Sequence, residues 1–388
     1  MSMIIYYDSS TKKIGVVERN SEIYINGFKS DEVLFEILKS IGCGDLMFNP
    51  NNNVIYVKDQ FDLDLKTIKK IFFVLNHNDD KDLPTYIFLD NKGEPRSYQS
   101  SNFLNYVISK TNIPKDNITI LTGTRTTSVN KNGYRIIFYP YDFLNFFKIT
   151  TDSFQLPENV VKTKLLSSFN RRMNSQRIVQ TAKICDKFDM KELNISLGIG
   201  HDNQSQKNRD RFHCLIKKDL RLPIVSDLEF LETDDDRQFN VQINKDTGSL
   251  LSVVNETIAT GTDPNGVNSE NQDVYYCSEK SIRPFLNLQI PIFNSTIGYS
   301  EWFEKTYGFD LFTDIIDYRK WDKIFNIYER SDIISEEIMN FKNKYPNYNE
   351  FFQDNKERFI KNFKKVPSLD KSEFFREVPK IKRNKKLI

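Results

Sequence analysis

The 388-residue chain is poor in the residue types that mark several function classes. It has four cysteines, Cys43, Cys185, Cys214 and Cys277, with no CxxC spacing among them. Its three histidines, His77, His201 and His213, are equally dispersed. Without a Cys/His cluster there is no zinc-ligand pattern, and scattered cysteines of this kind predict reduced, structural thiols in a cytoplasmic protein. No uninterrupted apolar run reaches the roughly 20 residues that a membrane-spanning helix needs. The first residues, Met1 to Asp8, lack a signal-peptide pattern. A Gly-rich phosphate loop is missing, and so is any internal repeat. Lysine plus arginine number 55 against 53 aspartates and glutamates, so the net charge is +2. A dedicated, strongly basic nucleic-acid binder would show a large excess, although a local basic patch is compatible with this balance.

What is present suits packed cores. Hydrophobic residues make up 39% of the chain and aromatic residues 13%. At roughly 100–200 residues per domain, the length predicts two domains. Short apolar runs at Met3–Asp8, Asn53–Val57, Pro84–Asp90, Ile118–Leu121 and Tyr134–Tyr139 read as strands. Ile14–Val17 and Glu22–Ile25 read as a strand pair. Helical spacing of apolar residues marks Glu32–Ile41, Asp64–Leu75 and Ser101–Ser109. Strands alternating with helices predict a parallel α/β sheet. Thr122–Asn132 reads as a loop, and Thr150–Glu158 as a connector. A second α/β series follows: strand Val161–Phe169, helix Gln176–Phe188 with Ser175 as its N-cap, and strand Leu193–Leu197. The polar stretch His201–Arg211 reads as a loop. Strands Asn240–Ile243 and Ser249–Val254, helix Glu279–Leu288 kinked at Pro284, strand Gln289–Phe293 and helix Tyr299–Tyr307 complete the series. From Asp322 onward the chain reads as helical and heavily charged, with the tail charges forming a solvated face.

Chemistry concentrates where strands of the second series stop and helices begin. One strand ends in Asn255-Glu256-Thr257, and a later helix starts at Ser278-Glu279-Lys280. Arg171, Arg172 and Arg177 surround a third strand-to-helix turn. Such junctions bind polar ligands, phosphates especially, in α/β folds. Guanidinium forks and a lysine suit a diphosphate, and carboxylates suit ribose hydroxyls. The competing reading of each is ordinary: arginines facing solvent or paired with carboxylates, and a capped first helical turn. The run Thr233-Asp234-Asp235-Asp236 offers oxygens for a divalent cation, but it lies in a polar link and reads as a solvated loop, so no metal is expected. Thr122-Gly123-Thr124-Arg125-Thr126-Thr127 likewise reads as a loop that could meet anionic groups.

Residues from about Val161 to Arg330 resemble the nucleotide-binding half of GT-B glycosyltransferases related to the α-1,3-fucosyltransferases, and of glycosyltransferase-like sequences of phages and large viruses. The matching pieces are Ser168-Phe169-Asn170-Arg171-Arg172 with Arg177, then Val254-Asn255-Glu256-Thr257, then Tyr276-Cys277-Ser278-Glu279-Lys280-Ser281-Ile282-Arg283-Pro284-Phe285. Ile290-Pro291-Ile292-Phe293 and Tyr307-Gly308-Phe309-Asp310-Leu311-Phe312 with Asp317 follow. The resemblance covers under half the chain. It implies a GT-B-like α/β fold, two Rossmann-like domains facing a cleft, and a nucleoside-diphosphate sugar as donor substrate with no obligatory cofactor. It also implies donor binding by Arg171, Arg172, Arg177, Glu256, Tyr276, Ser278, Glu279 and Lys280, with Arg171, Arg177 and Lys280 on phosphates and Glu279 on the ribose. Ser278 stands where the family has Thr, and Asn255 and Thr257 flank Glu256 differently, so donor base and sugar do not carry over.

An inverting transferase needs a carboxylate to take the acceptor hydroxyl proton. Lys92-Gly93-Glu94-Pro95 loosely resembles the family's base-bearing loop, which makes Glu94 the first candidate. Asp8, Asp90 and Asp142, read as strand-end carboxylates, are the alternatives. The expected organisation is an acceptor-side α/β domain over 1–155, a nucleotide-sugar-binding α/β domain over 156–335 and a helical tail over 336–388. The acceptor would be a hydroxymethylated base of viral DNA or a glycan. The other class of reading is a non-catalytic nucleotide-sugar or nucleic-acid binding protein.

Overall fold

The computed structural model describes residues 4–8, 13–17, 53–58, 65–76, 84–91, 102–122, 124–126, 135–138, 155–170, 173–198, 206–225, 246–256 and 274–368. The protein is a mixed α/β chain with two parallel-dominated sheets, and it divides into two compact units, one of residues 1–141 with 370–388 and one of residues 142–369. No helix among the described residues is long and apolar enough to cross a membrane.

In the first unit, β1 (Ile4–Asp8), β2 (Lys13–Val17), β3 (Asn53–Lys58), β4 (Thr85–Asn91), β5 (Ile118–Thr122) and β7 (Arg135–Phe138) form one sheet in the order β2-β1-β3-β4-β5-β7. β2 pairs antiparallel with β1, and the other neighbours are parallel. The expected partner of β2 was Glu22–Ile25, which lies outside the described residues, as does the expected helix Glu32–Ile41. A short strand, β6 (Thr124–Thr126), occupies part of the stretch read as a loop. α1 (Leu65–Asn76) and α2 (Asn102–Lys110) bury Ile68, Ile71, Phe72, Leu104 and Val107 against Ile55, Ile87, Leu89, Ile118 and Ile120. The continuous apolar run of β4 suits a strand buried on both faces.

In the second unit, β8 (Lys164–Asn170), β9 (Leu193–Leu197), β10 (Ser249–Asn255) and β12 (Ile290–Asn294) form an all-parallel sheet in the order β12-β10-β8-β9. The chain steps from β8 to β9 in one direction and from β10 to β12 in the other. Right-handed crossovers then put the connections on opposite faces, and the strand order reverses between β8 and β10. The parallel strands of the first sheet follow chain order with no such reversal among the described residues.

α3 (Ser175–Lys187) starts one residue earlier than its apolar spacing suggests. Its N-cap is Asn174, whose side chain accepts from the Arg177 backbone N–H at 3.0 Å, and Ser175 is the first helical residue. The stretch read as a loop at His201–Arg211 contains the start of α4 (Gln206–Leu215). Phe212 is its one fully buried side chain. Two polar contacts hold it: Asn208 Nδ2 donates to the Met173 carbonyl at 2.7 Å, and Arg211 Nη1 to Ser175 Oγ at 2.6 Å. Tertiary bonding thus makes a helix that apolar periodicity does not announce.

After the short strand β11 (Val274–Tyr276), the expected single helix is broken in two. A 3₁₀ turn spans Glu279–Ser281, and α5 spans Arg283–Leu286. Pro284 lies in the first turn of α5, where a missing N–H costs nothing, so it starts a helix and does not kink one. α6 (Tyr299–Tyr307) ends at Gly308, whose φ of 65° is the left-handed conformation glycine tolerates best. α7 (Ile327–Lys344), α8 (Tyr348–Asp354) and α9 (Lys356–Ser368) follow. α7 packs on α3 and buries Ile327, Ile334, Ile338 and Phe341, together with Arg330. Arg330 bonds main-chain carbonyls of Ser295 and Ile324. The face of these helices turned to the unit is thus packed, and only their outer faces carry solvated charge.

Candidate functional site

Each of three adjacent strands in the second sheet closes on an asparagine. Asn255 of β10 is level with Asn294 of β12, and continuing the β8–β10 register puts it level with Asn170. All three are buried. Buried carboxamides are costly unless bonded, and here they bond one another. Asn294 Nδ2 donates to Asn255 Oδ1 at 3.0 Å and to Gln180 Oε1 at 3.1 Å. Asn255 Nδ2 donates to Asn170 Oδ1 at 3.2 Å, and Asn170 Nδ2 to Ser168 Oγ at 3.1 Å. The row lies at the carboxyl ends of β8 and β10, on both sides of the reversal. In open α/β sheets ligands bind in the crevice outside that point.

The start of α3 faces the same edge. Arg177 is buried and its Nη2 donates to the Asn255 carbonyl at 3.3 Å. Gln176, 5% exposed, donates from Nε2 to the Asn294 carbonyl, and its Oε1 is buried with no hydrogen-bond partner among the described residues. Arg211 reaches the first turn of α3 through Ser175 and also donates from Nη2 to the Tyr328 hydroxyl at 2.8 Å.

Directly after Asn255, Glu256 is fully buried. Its Oε1 accepts from the Ser278 backbone N–H at 3.2 Å and from Ser281 Oγ at 2.6 Å, and its Oε2 accepts from Ser278 Oγ at 2.7 Å. Ser281 Oγ lies 2.8 Å from the Tyr299 hydroxyl. Burial, with Cys277 and Glu256 beside it, holds that phenol well above its ordinary pKa, so it stays protonated. Glu256 therefore clamps the turn that carries Lys280. Lys280, half-buried, donates from its backbone N–H to Ser278 Oγ at 3.3 Å, and its Nζ lies 3.4 Å from the same oxygen. Lys280 and Arg283 line a cavity of about 30 Å³ with Phe169, Val254 and Asn255. That is room for a water molecule.

Of the residues expected to bind a donor, the structure brings Arg177, Glu256, Ser278 and Lys280 to this edge. Tyr276 and Glu279 lie on described backbone, in β11 and the 3₁₀ turn, but their side chains lie outside the described residues. Arg171 and Arg172 lie outside them altogether, as do Glu94, Asp142 and the run Thr233–Asp236. Asp8 and Asp90 are described by backbone only, and they share a row across the first sheet, Asp8 opposite Lys58 and Lys58 opposite Asp90. Asn294, Gln176, Arg211 and Arg283 are additions to the edge that the sequence reading did not assign a role. One signal could have found Asn294: apolar strands ending Phe-Asn, Val-Asn and Phe-Asn occur three times in this half. Among the described residues no group of three or more His, Cys, Asp or Glu could hold a metal ion. No family model, no curated protein and no solved structure matches the chain.

Proposed function

We propose that the protein is a nucleotide-sugar-dependent glycosyltransferase of the inverting, GT-B type. The observation that carries this reading is the reversal of strand order between β8 and β10, with Arg177, Lys280 and the start of α3 gathered at its carboxyl edge. A nucleoside diphosphate needs cationic donors for its phosphates and acceptors for its ribose. Lys280 and Arg177, with Arg171 and Arg172 from the β8–α3 turn, would supply the first. Glu279 and Gln176 Oε1, which has no hydrogen-bond partner among the described residues, would supply the second. Glu256 would act by holding Ser278 and the Lys280 turn in place. Both of its oxygens already accept bonds within the protein.

In this reading the second unit holds the donor and the first shapes the acceptor site, as two Rossmann-like domains facing a cleft. A carboxylate of the first unit, Glu94 before Asp8, Asp90 or Asp142, takes the acceptor hydroxyl proton. The acceptor oxygen then bonds to the anomeric carbon as the bond from that carbon to the diphosphate breaks. Lys280 and the arginines stabilise the charge left on the diphosphate. The acceptor is a hydroxymethylated base in DNA or a glycan hydroxyl.

Thermal-shift screening against UDP, GDP, CDP and TDP and their sugars tests the donor site. A nucleotide at about 100 times its Kd stabilises the fold by roughly 2.7 kcal/mol. Lys280→Ala should weaken that binding about tenfold or more while leaving the unliganded melting point unchanged. No shift with any nucleotide removes the donor reading. A shift without sugar transfer to either acceptor favours a non-catalytic nucleotide-sugar binder.

A further inference from the structure

Side chains alternate along a strand, so the carboxyl edge of the second sheet has two distinct faces. The Asn170 side chain bonds Asn255 and reaches α3, where its Nδ2 lies 3.5 Å from Thr181 Oγ1. Phe169 and Val254, one residue earlier on β8 and β10, belong to the opposite face. Ser252, two residues before Val254, shares that face. The chain leading into β12 covers it, with Gln289 Nε2 donating to Ser167 Oγ at 3.3 Å. The cavity that Lys280 and Arg283 line lies here, across the sheet from the start of α3.

The cavity has a half-buried mouth formed by Phe169, Lys280 and Arg283, and a buried floor that includes Ser252, Val254 and Asn287. Two of the three mouth residues are cations, and among the described residues no carboxylate lines the space. Glu256 is not part of the lining, and both its oxygens are taken up by Ser278 and Ser281. Apolar walls from Phe169 and Val254 lower the local dielectric, so each cation acts more strongly here than on an open surface. The volume of about 30 Å³ exceeds the roughly 10–15 Å³ that one water molecule needs. It is far too small for a nucleobase or a sugar ring.

We propose that this cavity is a subsite for a terminal phosphate group, held by Arg283 and Lys280. The guanidinium fork matches two phosphate oxygens, and the ammonium serves as a point charge beside it. A terminal phosphate carries about −1.5 to −2 charges at pH 7, which suits two cations better than the single charge of a carboxylate. The phosphate has two possible sources: a free inorganic ion, or the end of a nucleoside diphosphate. The second source rests on the donor-site reading and deepens it. A diphosphate released from its sugar ends in such a group and the intact donor does not, so the subsite favours the leaving group. Arg283, to which the resemblance gives no donor contact, is then a binding residue.

Phosphorus NMR titration of the full-length protein with orthophosphate, in chloride buffer at constant ionic strength, tests the subsite. The wild type should give a saturable shift below about 20 mM. Arg283→Gln should weaken binding about tenfold or more with an unchanged melting curve. Ser252→Val, which puts methyl groups into the cavity without changing charge, should weaken it similarly and does not depend on the arginine variant folding. Arg221→Gln, at an exposed position, should leave it unaltered. Acetate should compete poorly. No saturable shift, full binding in both Arg283→Gln and Ser252→Val, or acetate competing as well as phosphate overturns the proposal. A nucleoside diphosphate should bind more tightly than its sugar, with the difference erased in Arg283→Gln. If nucleotides bind the wild type and Arg283→Gln alike, the subsite falls and the donor reading stands. If orthophosphate binds through Arg283 and no nucleotide binds, the subsite stands with free phosphate as its ligand and the donor reading falls.

Discussion

The two ends of the second sheet both bury polar groups, and they do so to different effect. At the amino end the groups close on themselves. Lys162 Nζ donates to the carbonyls of Ser249 at 2.9 Å and Asn287 at 3.0 Å, with the Phe352 ring 5.2 Å away. The Asp246 carboxylate accepts from Asn194, Ser249 and Gln289, each at 2.7 Å. At the carboxyl end the asparagine row is also bonded, but Gln176 Oε1 has no partner among the described residues and Lys280 reaches the surface. The difference teaches that polar burial alone does not single out an edge of the sheet. What sets the carboxyl end apart is a network left incomplete among the described residues, at the reversal of strand order and beside a helix start.

Breaking the amino end should cost most and leave ligand binding alone. Asp246→Ala strands three donors and removes the carboxylate that favours the buried Lys162 ammonium. Breaking one partner of a buried ionic cluster costs about 3–5 kcal/mol, which urea unfolding would register. Nucleotide affinity per folded molecule should stay at the wild-type value. A loss under about 1 kcal/mol would mean that this end is not closed.

The second test is pH. Burial lowers the Lys162 pKa from 10.5 to about 7, against the opposing pull of Asp246. The folded pKa is thus below the unfolded one. Between pH 7 and 10.5 the unfolded chain holds the extra proton, so stability rises with pH across that window. The slope from this group is at most about 1.4 kcal/mol per pH unit, and below pH 7 it vanishes with the penalty fully present. Lys162→Met should remove this contribution. An unchanged slope in the variant would show that Lys162 is not its source.

The smallest effect belongs to the carboxyl end. Glu256→Gln keeps the shape but replaces one of two acceptor oxygens with a donor facing Ser278 or Ser281. The expected loss is about 1–3 kcal/mol of stability, accompanied by weaker nucleotide binding as the Lys280 turn shifts. A stability loss with nucleotide affinity intact would confine Glu256 to the scaffold and sharpen the contrast to the other end.

Strand and helix positions were largely legible, because β3, β4, β5 and β10 are short apolar runs bounded by polar residues. α6 was legible to the residue, from Tyr299 to Tyr307. α4 was not, since Phe212 is its one buried side chain and its helicity rests on bonds to Met173 and Ser175 far away in sequence. The break at Ile282 is not legible in the sequence, because Pro284 signals a helix start as readily as a kink. At the edge itself, Glu256 just past the end of β10 meets Ser278 just before the 3₁₀ turn, and both were legible as polar groups where an element stops or starts. That Glu256 is clamped rather than open could not be read, because Ser281 and Tyr299 complete its environment from a separate turn and helix.

The most direct measurement is hydrogen–deuterium exchange with and without the nucleoside diphosphate that gives the largest thermal shift. The account predicts added protection in peptides covering residues 173–178, 255–256 and 278–281, and none over 162–164, 246–250 and 287–289. Protection confined to the amino-end peptides, or no nucleotide-dependent protection at all, would contradict it.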